Sequence, residues 1–301
     1  QIYIFMRRYK ITLAIVCSLF WATSCQWNNE NKEKTETPAV ETKSPSEKQP
    51  VKQPENLTFS KYNYFKKSYI DDNTKLPGCT IDIHISYPSG GNTGNTSLNK
   101  LQSLFVASLP DGMQESHSPR TAVEHFVKNY IADYQAEIKP YLKKHKHRDE
   151  GWMNYEIIVK SENLYNADLF WGYSIETYTF TGGAHGMTTT SYNVVDLKSG
   201  KALSLKDLFA ENDYNLINRM LCQQLADDLD TSVDKLGEKS YETENIIADD
   251  NFMISDKGIT WLFNPYDIAP YSTGTTRITL PYRAIVGYLV ADSPLKRIAS
   301  K

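Results

Sequence analysis

Residues Tyr178 to Tyr192 read YTFTGGAHGMTTTSY, and the fold turns on how that stretch is taken. Aromatic and β-branched residues crowd both flanks, which favours extended backbone, while Gly182, Gly183 and Gly186 reach positive φ without a Cβ penalty. The reading is strand, tight corner, strand, and two strands joined by so short a corner pair antiparallel. Outward from this hairpin the pattern continues. WMNYEIIVK (152–160), LFWGYSIETYTF (169–180) and TTTSYNVVDL (188–197) follow one another as strand segments. CTIDIHISY (79–87) alternates, with Ile81, Ile83, Ile85 and Tyr87 on one face and Thr80, Asp82, His84 and Ser86 on the other. PSGGNTGNTS (88–97) reads as a connecting loop.

Ser118 followed by Pro119 marks a helix start. Val123, Phe126, Val127, Tyr130, Ile131, Tyr134 and Ile138 then recur at helical spacing, and Pro140 is expected to end or kink the helix. This helix and an antiparallel meander form a first unit, 57–190. DLKSGKALSLKDLF (196–209) carries a turn at Gly200 and leads into a second helix, Tyr214 to Leu229, with the apolar stripe Ile217, Met220, Leu221, Leu225 and Leu229. NFMIS (251–255), ITWLFN (259–264) and TTRITLPY (275–282) then read as three more strands in a second unit, 191–301. The expected class is α+β: two helix-plus-antiparallel-meander units, related or interlocked.

Ahead of the body, Arg7, Arg8 and Lys10 precede the apolar run Ile11 to Ala22, the order of a secretory signal over 1–24, with Met6 as its start. The run is shorter than the ~20 apolar residues of a spanning helix. Ala22, Thr23, Ser24 and Cys25 resemble the lipobox of bacterial lipoproteins, although Ala22 stands where leucine is more usual. Cys25 is the expected lipidation site, with plain cleavage near Ser24 as the alternative. CQWNNE is similar to the post-cysteine signals of Bacteroidetes surface lipoproteins without their run of acids. Residues 25–56 follow as a polar tether with too little apolar surface to offset ordering. The expected location is the cell envelope, anchored by lipid to the outer membrane on its periplasmic or surface face.

The formal charge of −3 argues against a nucleic-acid partner, and the basic KPYLKKHKHR (139–148) sits at a helix end, where cations complement the dipole. Of four cysteines, Cys79 and Cys222 belong to the body, either bridged or as two buried thiols. No HExxH, GxSxG, P-loop, CxxC or Rossmann pattern occurs. Asp82 and His84 share a face without a third ligand near them, so neither metal nor cofactor is expected.

YTFTGGAHG, VVDLKSGKALSLKDLF and ITWLFNPYDIAPYSTGTTRITLPY, in that order, resemble the signature of the paired domains of unknown function found in the lysozyme-sensing anti-sigma factor RsiV and ahead of the catalytic domain of the peptidoglycan deacetylase PdaC. The resemblance runs from about Leu57 to Ala299 and implies an envelope binding module. Its implied partner is a lysozyme-like protein or a peptidoglycan or other glycan fragment. A deacetylase-associated enzyme on polysaccharide and a structural envelope protein are the rival readings. No segment resembles the deacetylase's own metal-binding domain, so no catalytic residue is nominated.

Two stretches are the candidate binding residues. Gly182, Gly183 and His185 form either a turn that His185 fixes by a hydrogen bond, a contact surface, or a catalytic or metal site. In PYDIAPYSTG (265–274), Pro265 stiffens a loop on which Tyr266 and Tyr271 offer flat amphipathic surface and Asp267 a hydrogen-bond acceptor. The competing reading packs both tyrosines beneath the loop.

Overall fold

The computed structural model describes residues 56–114, 118–145 and 151–299, all within one compact unit, Val51–Lys301. The signal segment, Cys25, the tether up to its last residue, and His147 lie outside the described residues.

Six strands form the first sheet in chain order: β1 (Leu57–Tyr69), β2 (Gly78–Gly91), β3 (Tyr155–Ala167), β4 (Phe170–Phe180), β5 (Met187–Asp196) and β6 (Lys201–Ala202). Neighbours run antiparallel except β2 and β3, which are parallel from Cys79 opposite Tyr155 to His84 opposite Lys160. A parallel neighbour needs a crossover, and two helices provide it. They are α1 (Leu98–Ser108) and α2 (Pro119–Lys144). The class is α+β as expected, but the first unit is a meander from β3 onward only. β1 and α1 have no counterpart in the sequence reading, and β2 extends to Gly91, into the stretch read as loop. Pro140 does not end α2, because Leu142, 1% exposed, holds one more turn against the body.

Ile81, Ile83 and Ile85 of β2 are buried beneath the helices with Val123, Phe126 and Val127 of α2. On the opposite face Asp82 and His84 pair at 2.8 Å with both side chains partly exposed. β4 differs: Phe170 to Ile175 are buried without interruption. Trp171, Tyr173 and Ile175 join the helix-covered core, whereas Phe170 and Val194 of β5 join a second core. Burying a large apolar side chain contributes about 1.5–3 kcal/mol, so β4 anchors both layers.

The second core belongs to α3 (Tyr214–Asp228) and a three-stranded antiparallel sheet of β7 (Phe252–Ile254), β8 (Gly258–Phe263) and β9 (Thr276–Pro281). Ile217, Leu221 and Leu225 of α3 pack with Phe252, Trp261 and Ile278, while Met220 and Leu229 lie partly buried beside them. Gly172 lets this layer approach: a Cβ there would meet Met253 Sδ at 2.5 Å. Polar stitches complete the join. Asn264 Oδ1 accepts from Thr190 N at 2.7 Å, and its amide donates to Thr190 O at 3.2 Å. Asn251 Oδ1 accepts from Tyr192 N at 2.7 Å, and its amide donates to both Thr190 O and Leu262 O. Two side chains thus do for the middle of β5 what a neighbouring strand would otherwise do. Residue 190, where the sequence reading divides the units, lies inside β5.

Candidate functional site

The corner between β4 and β5 takes its shape from its glycines. Gly182 and Gly183 have φ of 90° and 114°, and a Cβ on Gly186 would lie 2.4 Å from the Tyr178 ring. Only a residue without a side chain lets the backbone pass that close. His185 projects from the corner and is exposed. Its Nδ1 lies 2.8 Å from Gly186 O. A carbonyl only accepts, so the Nδ1–H donates to it.

The loop from Pro265 to Gly274 comes to meet this corner. Asp267 Oδ2 accepts from Asn264 N at 2.6 Å, Asp267 N donates to Asn264 O, and Tyr266 N donates to Ala269 O. These bonds hold Tyr266 at φ 76°, an uncommon conformation for a bulky residue that costs of order 1 kcal/mol or more. Ile268 and Ala269 are buried beneath the loop.

The two segments form one surface. The Tyr271 ring stacks on His185 with centroids 4.2 Å apart, and its hydroxyl donates to the same Gly186 carbonyl at 3.2 Å across 85 positions of sequence. Tyr266 follows with its centroid 5.6 Å from that of Tyr271. Tyr266 is 56% exposed and Tyr271 37%, so neither is packed away under the loop. Tyr266, Tyr271 and His185 make a continuous exposed aromatic row on a braced backbone. Asp267 is committed through Oδ2 to its own turn.

A separate cleft of about 500 Å³ is lined by Ser108, Thr177, Thr189, Ser191, Asn251 and Asn264 among others. Hydroxyl and amide groups dominate these positions, and Asn264 is two residues from Tyr266. Asn251 and Asn264 escaped the sequence reading. The asparagine that ends ITWLFN is a visible signal, but its partner in β5 is not.

Charge near the loop is acidic. Asp249 is exposed, yet its carboxyl is partly desolvated, which raises its pKa; the backbone N–H of Asn251 opposes this and the charges of Asp250 and Asp267 reinforce it. Among the described residues no carboxylate bonds or pairs with His185, and no group of three or more His, Cys, Asp or Glu could hold a metal ion. Cys79 and Cys222 are free thiols. Burial pushes Cys79 up to about 11, which leaves it protonated and inert at neutral pH. Of the basic run, His145 stacks on Tyr141 at 4.1 Å. No helix among the described residues is long and apolar enough to cross a membrane.

Comparison with known proteins divides the body in two. The family described as Deacetylase PdaC matches residues 78–188, and the protein of unknown function family DUF3298 matches residues 206–283. The two matched regions follow one another along the chain. Anti-sigma-V factor RsiV of Bacillus subtilis (strain 168) is 24% identical over 173 residues, which are 54% of this chain and 58% of that protein. The chain therefore matches less than two thirds of that relative's length. A crystal structure of a DUF3298 family member from Bacteroides fragilis is 26% identical, with a TM-score of 0.76 over 83% of this chain and 100% of that one. A DUF3298 family protein from Pseudomonas aeruginosa, 16% identical with a TM-score of 0.54 over 78% of this chain and 95% of that one, shares the fold. His185 falls in the first matched region, Tyr266 and Tyr271 in the second.

Proposed function

We propose that this is a cell-envelope binding protein, held at the membrane through lipid on Cys25, that recognises a cell-wall glycan or a protein acting on one, such as lysozyme. The observation that carries the reading is the aromatic row built from both matched domains. Flat, rigid, half-wet rings of this kind stack on sugar faces and anchor protein interfaces, and a pre-braced loop loses little entropy on binding. The Thr177, Thr189 and Ser191 hydroxyls of the cleft offer hydrogen-bond partners for a glycan. The acids around Asp267 suit a basic protein. The likeness to the anti-sigma factor supports the lysozyme form of the proposal.

Calorimetric titration of the full chain with lysozyme and, separately, with muropeptides tests this. Saturable binding is expected with one of them, and a Tyr266→Ala, Tyr271→Ala variant that keeps its unfolding midpoint should lose at least about tenfold in affinity, as for a central aromatic anchor. Equal binding by that variant, or no binding of either ligand, rejects the site. The deacetylase description of the first matched domain motivates a second reading, enzymatic action on polysaccharide. Release of acetate from an acetylated muropeptide would favour it.

A further inference from the structure

Away from the aromatic row, the turn between β5 and β6 faces the C-terminal segment across a depression of about 620 Å³. Lys198, Lys201 and Lys206 line it, exposed, and no ion pair or hydrogen bond engages their side-chain ammonium groups among the described residues. Lys100 adds a fourth cation at the margin, its Nζ 3.3 Å from where a Cβ on Gly200 would stand. Four lysines thus stand close together in a chain whose net charge is −3.

The acids in the lining are largely spoken for. Asp196, 4% exposed, binds Arg297 and accepts from the backbone amides of Lys198 and Ser199. Asp207 Oδ2 accepts from both the backbone and the hydroxyl of Ser204. Asp292 is the one exposed acid of the lining. Arg297 lies over the Phe170 ring, 4.1 Å from its centroid, so its plane is fixed by packing as well as by Asp196. Two lining residues also carry a buried polar atom with no hydrogen-bond partner, Ser293 Oγ and Arg297 Nε, and Ser293 is 4% exposed. Buried donors without acceptors are uncommon in folded proteins and call for an explanation.

We propose that this depression is an oxyanion site that takes a phosphate group. Such a group brings an acceptor to a lining in which the Ser293 hydroxyl and the Arg297 Nε–H lack one. Its charge meets Lys198, Lys201 and Lys206, which act as mobile point charges around a guanidinium already oriented. The ligand class is a phosphomonoester, from either a soluble phosphorylated molecule or a lipid headgroup. This site is independent of the aromatic row and of the proposal built on it.

Inorganic phosphate titrated into the full chain at low ionic strength, read by ³¹P line broadening, is the first probe. Saturable binding should weaken about tenfold or more in a Lys198→Gln, Lys201→Gln, Lys206→Gln variant, and by several-fold in Ser293→Ala. The triple change touches only exposed side chains, so its unfolding midpoint is expected to stay put, and Tyr271→Ala should leave phosphate binding unaltered. Sedimentation with vesicles of phosphatidic acid in phosphatidylcholine separates the sources. Co-sedimentation lost in the triple variant assigns a lipid headgroup, and phosphate binding without it assigns a soluble ligand. Absence of saturable binding to both probes, or equal binding by the triple variant, overturns the proposal.

Discussion

β2 and β4 belong to one sheet and bury their side chains in opposite ways. β2 buries every second residue and leaves Thr80, Asp82 and His84 facing partly to solvent. β4 buries six residues in a row because a helix layer covers one face and the second sheet the other. Alternation therefore marks where this sheet has one layer upon it, and its loss marks where it has two. The second unit docks on β4 and β5, and the exposed aromatic row stands at the turn that joins those same strands.

Truncating Trp171, which is fully buried and stacks on Tyr173 at 4.1 Å, is the heaviest blow to the doubly covered strand. Trp171→Ala should cost about 3–5 kcal/mol in denaturant unfolding, whereas Thr80→Ala on the open face of β2 should stay within about 0.5 kcal/mol. Equal costs would abolish the contrast. A side chain forced between the layers comes next. Gly172→Val is expected to cost about 1–3 kcal/mol by overpacking, and Met253→Ala in the same chain should return part of it if the clash is the cause. Removing a stitch is comparable: Asn251→Ala strips Tyr192 N of its partner and Thr190 O of one of its two donors, at a cost of about 1–3 kcal/mol.

The pH dependence of the join rests on Asp196. Burial would push its carboxyl up, but Arg297, Ser199 and Lys198 together hold it below the ordinary 3.8. A depressed folded-state pKa means the ionised group contributes stability in full above that ordinary value and loses it as pH falls through the lower folded one. Stability should therefore decline in that acid window, and Asp196→Asn should flatten the decline while lowering stability at neutral pH. Smallest of all is Tyr271→Ala, expected to change unfolding by less than about 1 kcal/mol, since the ring is substantially exposed. A larger loss would assign the aromatic row to holding the fold together.

Much of this was legible in the residues. The alternation from Ile81 to Tyr87, the stripes of α2 and α3, the three strands of the second sheet and the corner at Gly182 all rest on local periodicity or local backbone chemistry. What stayed hidden depends on partners far along the chain. β2 beside β3 is a pairing across two helices, and nothing within either strand encodes parallel direction. α1 begins at Ser97, whose side chain accepts from Lys100 N, yet the glycines and asparagines before it read as loop. Phe59, Tyr62 and Tyr64 of β1 are only partly buried, because an edge strand has less to hide and a weaker pattern. Gly172 looks like a flaw in a strand until Met253 is placed against it. His185 and Tyr271 were each singled out, but only folding brings their rings into contact.

The amides of Asn251 and Asn264 also decide how this sheet can grow. One border of the sheet ends in a two-residue strand, and the β5 backbone behind it is already occupied by those amides. The other border, β1, runs for 13 residues with no strand on its outer side among the described residues, and bears Lys61, Lys66 and Lys67. Fibrous polymerisation requires that each subunit offer a ladder on both sides, one to receive and one to pass on. With a single receptive side, strand addition here stops at a pair.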